Sequence, residues 1–417
     1  MSKKSNKGLV PKLRFPEFRD RGEWENLELS AISERITEKV GSKSLITLSI
    51  SAGYGFISQA EKFSRDISGE QYKNYIVLNE GEFSYNKGNS KKFPQGCIYK
   101  LKNYKQAAVP NAFISFRFND EGVSEFYQGY FDNNFHGYQL KKFITSGARS
   151  DGLLNINAND FFTIKLPTPS KPEQQRIADC LSSLDDLITA EMQKLDKLKT
   201  YKKGLMQNLF PAEGGTVPRL RFPEFRDSGE WEEKTIKQVA HYENGKAHER
   251  DISEHGKFIV VNSKFISTDG EVKKYSNTAN LLAKTGDILM VLSDVPNGRA
   301  IAKCFYVDKD NTYTVNQRIC KLTPKNANSF ILQYVINRNK YFLSFDDGVK
   351  QTNLKNEDVL NCPIVLPDNR KEQQKIADGL SSFDNLITAQ TQKIETLKAH
   401  KKGLMQQLFP HVDEVGE

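Results

Sequence analysis

The sequence predicts an α+β chain of two domains with mixed sheets, separated by two long antiparallel coiled-coil helices and ordered with pseudo-twofold symmetry. Three observations predict it. A stretch near the start recurs midway through the chain, a long helical stretch recurs at the end, and the segments between them are rich in short strand patterns.

The 417 residues suit two or three domains, each large enough to bury a core. Val10 to Glu25 reads VPKLRFPEFRDRGEWE, and Val217 to Glu232 reads VPRLRFPEFRDSGEWE. A longer stretch, Glu173 to Pro211, recurs from Glu372 to Pro410 with most positions identical. Such repeats signal duplicated structural units. The first domain is therefore expected over 10–168, its helix over 169–211, the second domain over 212–367 and its helix over 368–410. Between the anchors the halves diverge, with weak matches such as Gly81-Glu82 to Gly286-Asp287 and Leu166-Pro167 to Leu366-Pro367. One fold with two different surfaces is the expectation.

In the domains, LITLSI, FISFRF, FTIKLP, FIVVNS, DILMVL and NCPIVLP read as strands. Gly, Asn, Asp and Ser punctuate them. In the first helix, apolar residues fall at Ile177, Leu181, Leu184, Ile188, Leu195 and Leu198. The second repeats them at Ile376, Leu380, Phe383, Ile387, Ile394 and Leu397. Spacings of three and four make a heptad seam. Ser170 and Asn369 stand three residues before Glu173 and Glu372, a capping-box spacing. Pro211 and Pro410 stop the helices. Each helix is about 37 residues, or about 55 Å, long. The matching seams predict that the two helices pair within one chain, bringing the C-terminus near the N-terminus; the alternative is a homodimeric coiled coil. Glu191 and Gln390 fill matching polar gaps in the seams, either facing each other or facing solvent.

Composition narrows the function. The net charge of +8 permits nucleic acid as a partner without requiring it. Five scattered cysteines lack metal-ligand spacing and fit a reducing cytoplasm. No secretory signal pattern or membrane-spanning run occurs, so a cytoplasmic protein is expected. There is no GxxxxGK[ST], no G-x-G-x-x-G after a strand, no Asn-Pro-Pro-aromatic segment and no HExxH. No catalytic or metal-binding residues are therefore assigned, and the chain is expected to borrow catalysis from partners.

Two stretches lack acids. Phe83 to Asn119 carries Lys87, Lys91, Lys92, Lys100, Lys102, Lys105 and Arg117 among aromatic residues. Asn311 to Phe345 carries Arg318, Lys321, Lys325, Arg338 and Lys340. Basic groups without acids attract phosphates, and Arg, Asn or Gln can read base edges. Before each helix a glycine is followed by a basic residue and an Asn-rich turn, which brings in Arg149, Lys350 and Gln351. The candidate DNA-binding set is Lys87, Lys91, Lys92, Arg149, Arg299, Arg318, Lys350 and Gln351. The competing reading is a coiled-coil structural scaffold that does not itself bind DNA.

The two EQQ-[RK]-IA helix starts, Glu173 to Ala178 and Glu372 to Ala377, carry a resemblance to a known family. So do the GLMQ-x-LFP helix ends and the RFPEFR segments at Arg14 to Arg19 and Arg221 to Arg226. Together they resemble the specificity subunit of type I restriction–modification systems over nearly the whole chain. The resemblance implies two target recognition domains, each reading half of a split DNA sequence, with the helices as a ruler for the unread gap. It implies as partners double-stranded DNA, two modification (methyltransferase) subunits and the restriction (translocase and nuclease) subunits. S-adenosylmethionine, ATP and Mg2+ are then expected on those partner subunits, with no cofactor on this chain. No base-contacting residue carries over by motif.

Overall fold

The chain divides into two units, Met1–Gln193 with Gln392–Glu417, and Lys194–Thr391. The computed structural model describes residues 9–88, 93–120, 124–144, 154–248 and 251–410. Each unit takes one domain, the first part of the long helix that follows it, and the last part of the other long helix.

The first unit has strands β1 (Glu25–Glu28), β2 (Ser33–Arg35), β3 (Phe83–Asn86), β4 (Cys97–Lys100), β5 (Ile114–Phe118) and β6 (Lys165–Thr168). Helix α1 (Ser124–Asp132) covers the sheet, and α2 (Lys171–Leu209) follows β6. The main sheet is antiparallel in the order β2-β5-β3-β4. Alternation along β5 buries Phe116 and Phe118 and leaves Arg117 exposed between them. The core is aromatic: Phe83 stacks on Phe116, and Phe131 and Phe161 close around them. Truncating one such phenylalanine typically costs about 3–5 kcal/mol. A smaller lobe, Leu48–Ser51 with Gly55–Ser58 and Ile76–Asn79 with Gln106–Val109, has its own apolar cluster.

The second unit repeats the frame with β7 (Glu232–Thr235), β8 (Ala240–Asn244), β9 (Ile288–Val291), β10 (Ser293–Asp294), β11 (Cys304–Tyr306), β12 (Ile319–Pro324), β13 (Thr352–Asn353) and β14 (Pro363–Leu366). Its helices are α3 (Ser329–Ile336) and α4 (Arg370–Leu408). The main sheet is again antiparallel, in the equivalent order β8-β12-β9-β11. The core is now aliphatic, built on Ile288, Met290, Leu322, Ile331, Leu332 and Ile336. A separate sheet of Tyr275–Ser276, Phe258–Val261 and Tyr313–Val315 mixes antiparallel and parallel pairing.

The repeated segments meet one another inside each unit. β1 pairs with β6, and β7 with β14, so each domain's first and last strands lie side by side next to the helix start. There Arg14 makes a two-pronged ion pair to Glu173, at 2.7 and 2.8 Å, and the Trp24 indole N–H donates to the same carboxylate at 3.2 Å. Arg221, Trp231 and Glu372 repeat the arrangement at 2.6, 2.8 and 3.4 Å. Glu173 and Glu372 are each 1% exposed. The hydrogen bond to Glu173 raises the Arg14 pKa further, and Arg221 behaves alike beside Glu372. Gln174 and Gln373 donate to the carbonyls of Pro169 and Pro367, each at 2.7 Å. Gln175 and Gln374 reach Asp179 and Asp378 one turn on. The capping-box expectation is corrected here. Both glutamates turn to arginine and tryptophan, and the second helix is capped instead by the Asn369 side chain, which accepts from Lys371 N–H at 2.9 Å.

The helices, each 39 residues long, pair antiparallel. In the first unit Asp185 meets Lys401 at 2.6 Å and Glu191 meets Lys393 at 2.5 Å, so partner numbers fall as numbers rise. In the second unit Lys202 pairs with Asp384, and Tyr201 packs on Phe383. Of the seam, Ile177, Leu181, Ile188, Ile376, Leu380 and Ile394 are buried, and Leu184, Leu195, Leu198, Phe383, Ile387 and Leu397 are half-buried. Ile177 and Leu181 join the first domain's core together with Met405 and Leu408 from the end of α4 and Phe409 just after it. Ile376 and Leu380 do the same with Leu209. The Leu13 N–H donates to the Gln407 carbonyl at 2.9 Å, which ties the N-terminal segment to the end of the last helix. Its counterpart joins Leu220 to Asn208 at 2.8 Å.

The buried ion pair yields a stability prediction. Glu173→Ala leaves Arg14 charged and Trp24 unpaired in the interior, a loss of about 3–5 kcal/mol in chemical denaturation. Adding Arg14→Met recovers most of it, because no buried charge then remains.

Candidate nucleic-acid interface

In the second domain the candidate residues collect on the loops that meet at the end of a central strand. In the second unit β9 runs on through Leu292 into β10. Leu292 donates its N–H to the Arg318 carbonyl at 3.0 Å and accepts from Leu354 N–H at 2.8 Å. Ser293 and Asp294 pair with Asn353 and Thr352. The turn before β12, the loop after β10 and the loop before β13 therefore meet at one place. They carry Arg318, Arg299, and Lys350 with Gln351, so the structure brings all four second-domain candidates together.

Each loop is held rigid by its own side chains. Asp294 accepts the N–H groups of Val295 at 2.9 Å, Ala300 at 2.6 Å and Ile301 at 3.0 Å, which clamps residues 295–301. A side chain at Gly298 would collide with the Asp294 carboxylate. In the facing loop Asp347 accepts from the N–H groups of Val349 and Lys350, both at 2.9 Å. Those hydrogen bonds, that of Lys350 first, hold its carboxyl below the usual carboxylate range. Asn297 donates to the Gly348 carbonyl at 3.2 Å and links the loops. Gly348 itself has φ +71°, a conformation that favours glycine.

Arg299, Arg318 and Lys350 are exposed, and no ion pair holds them among the described residues. Gln351 is exposed as a residue, but its amide already donates to Ser293 at 2.6 Å and Asn353 at 3.3 Å. Its first task is to join the two loops. Asp294, Asn297 and Gly298 were missed by the reading of basic residues. The Asn-Gly turn dipeptide was their signal.

In the first unit the same junction exists: Leu154 donates its N–H to the Lys87 carbonyl at 3.0 Å. Asn86 steadies the turn by accepting from Gly88 N–H at 2.9 Å. Lys87 is half-buried at this junction. Lys91, Lys92 and Arg149 lie outside the described residues.

The acid-free stretches need correcting. Arg117 faces Glu34 across the β2–β5 pair at 2.6 Å and also reaches Glu82 at 3.3 Å. Lys321 faces Glu243 across β8–β12 at 2.6 Å. Lys100 and Lys102 share Glu125, and Lys340 meets Glu213 at 2.5 Å. Acids distant in sequence neutralise these bases in space, so the stretches are not continuous positive surfaces. Among the described residues no group of His, Cys, Asp and Glu is arranged to hold a metal ion. No helix there is long and apolar enough to cross a membrane.

The arrangement in the second unit is a preorganised loop pair on a duplicated frame, and it carries three exposed cations with no ion pair among the described residues. Read as a nucleic-acid interface, the loops predict that Lys350→Ala weakens retention on duplex DNA evenly across sequences. It should also lower the slope of log affinity against log salt by about 1, measured by titration at several salt concentrations.

Comparison with known proteins agrees with this duplication. The family model described as "Type I restriction modification DNA specificity domain" matches residues 21–200 and again 228–399. The type I restriction enzyme MjaVIII specificity subunit of Methanocaldococcus jannaschii is 26% identical over 295 residues, covering 66% of this chain and 68% of that protein. In fold, the chain is similar to the crystal structure of a type I restriction–modification S subunit from M. genitalium. The TM-score is 0.57 at 14% identity, over 96% of this chain and 99% of that one. A second chain, from structural work on complex assembly and conformational transition of the type I R-M system, matches with a TM-score of 0.53 at 15% identity. It covers 93% of this chain and 97% of that one.

Proposed function

The chain belongs to the type I restriction–modification DNA specificity family, a DNA-recognition subunit with two recognition domains, and we propose that each domain reads its half of a split target through the loop pair after its central strand. One observation carries this reading. The two domains share a frame, in strand order and in the Arg-Glu-Trp contacts beneath it, yet differ in sequence at the same loops. Selection for two different half-sites produces that contrast.

The chain itself is non-catalytic. It holds two modification subunits and the restriction subunits in a cytoplasmic complex, and S-adenosylmethionine, ATP and Mg2+ act on those partners. Two copies of one partner suit a chain that exposes the same apolar residues twice, Val10 and Leu13 in one copy and Val217 and Leu220 in the other.

Mapping methyladenine across a genome, in cells making the modification subunit with and without this chain, tests the proposal. A split motif that depends on the chain is expected. No chain-dependent motif, with the proteins soluble and associated, would return the chain to a scaffold that does not read DNA. Inserting one helical turn after Thr189 should lengthen the gap between the half-sites in the same assay, and an active variant with an unchanged gap would remove the helices' role as a ruler.

A further inference from the structure

Among the described residues, the two most exposed large aliphatic side chains are Val349, at 76%, and Val295, at 64%. They are not scattered. Val295 opens the loop clamped by Asp294, and Val349 sits in the turn held by Asp347. The two loops are joined by the β10–β13 pair, by Asn297 to the Gly348 carbonyl and by Gln351 to Ser293. Both valines are therefore presented from one rigid double loop, beside the exposed Arg299 and Lys350.

Exposing a branched aliphatic group to water is unfavourable in proportion to the apolar area left wet. Valine also has few rotamers, so its methyl groups keep their place when the backbone is held. Arg299 and Lys350 beside them suit a phosphate-lined partner, because the acids of the same loops, Asp294, Asp346 and Asp347, accept loop N–H groups. Of the features that double-stranded DNA offers at its major-groove edge, the apolar one is the C5-methyl group of thymine.

We propose that Val295 and Val349 read thymine methyl groups, so that the half-site of the second domain contains thymine recognised through its methyl and not only through its hydrogen-bonding edge. This rests on the DNA-recognition function above. Arg299 and Lys350 hold the backbone on either side, and Gln351 fixes the spacing between the loops.

The test uses the full chain in complex with its modification subunits, and duplexes carrying the target found by methylation mapping. Each thymine of either half-site is replaced in turn by deoxyuridine, which removes the methyl and leaves the hydrogen-bonding groups. In the second half-site at least one replacement should weaken binding by about four-fold, the worth of one buried methyl-sized group. Val349→Ala or Val295→Ala should abolish that sensitivity, while sensitivity to uracil in the first half-site stays as it was. Indifference to uracil at every thymine of the second half-site, or full uracil sensitivity in both variants, overturns the inference. A second half-site without thymine also overturns it. If the complex does not prefer its target to scrambled DNA, the recognition function itself fails, a result separable from indifference to uracil in a complex that still selects its target.

Discussion

The buried carboxylate at each helix start is the constraint on which the frame depends. Glu173 and Glu372 are ionisable groups almost without solvent, and a lone charge there would be costly. Each is matched by an arginine in two-pronged geometry and by an indole N–H. Arginine and tryptophan come from the segment that opens the domain, and the glutamate from the helix that follows it. One interaction therefore joins the start of the domain to its end and orients the helix as it leaves. This accounts for the near-identity of the two copies of the RFPEFR…W and EQQ segments: they are each other's environment, and a change in one strands a charge in the other.

Away from that lock the requirement relaxes to shape. The same four-stranded order is packed with stacked aromatic rings in one domain and with isoleucine, leucine and methionine in the other. A core asks for apolar volume and close packing, and several side-chain sets supply them. The frame can thus persist while the sequence drifts, and the loops it carries can change without cost to it. Rigidity in the loops comes from local devices, Asp294 and Asp347 accepting neighbouring N–H groups, so their outward side chains are free to serve recognition.

The electrostatic reading of the sequence met a limit with a physical cause. A stretch without acids has no acids along the chain, but antiparallel pairing places residues from elsewhere a few ångströms away. Arg117 and Lys321 each face a glutamate on the neighbouring strand. What remains available to phosphate is set by loops that leave the sheet, as at Arg299, Arg318 and Lys350. Gln351 shows the reverse case: a residue expected to read bases spends its amide on joining two loops.

By itself the sequence determined the duplication, the two domains, the long helices with their apolar seam and the family, because repeats and heptads are patterns along the chain that need no knowledge of what packs where. The antiparallel run of one helix against the other also followed from the order of the segments. Only the tertiary structure decided which partner each repeated residue takes. It turned the glutamates of the expected capping boxes into ion-pair acceptors, placed Ile177 and Leu181 in a domain core, and matched bases of the acid-free stretches with distant acids. It also joined the loops that carry Arg299, Arg318 and Lys350 and exposed two valines in them. Those outcomes depend on contacts between residues far apart in the chain, and their register is settled by strand pairing and packing that no local pattern records.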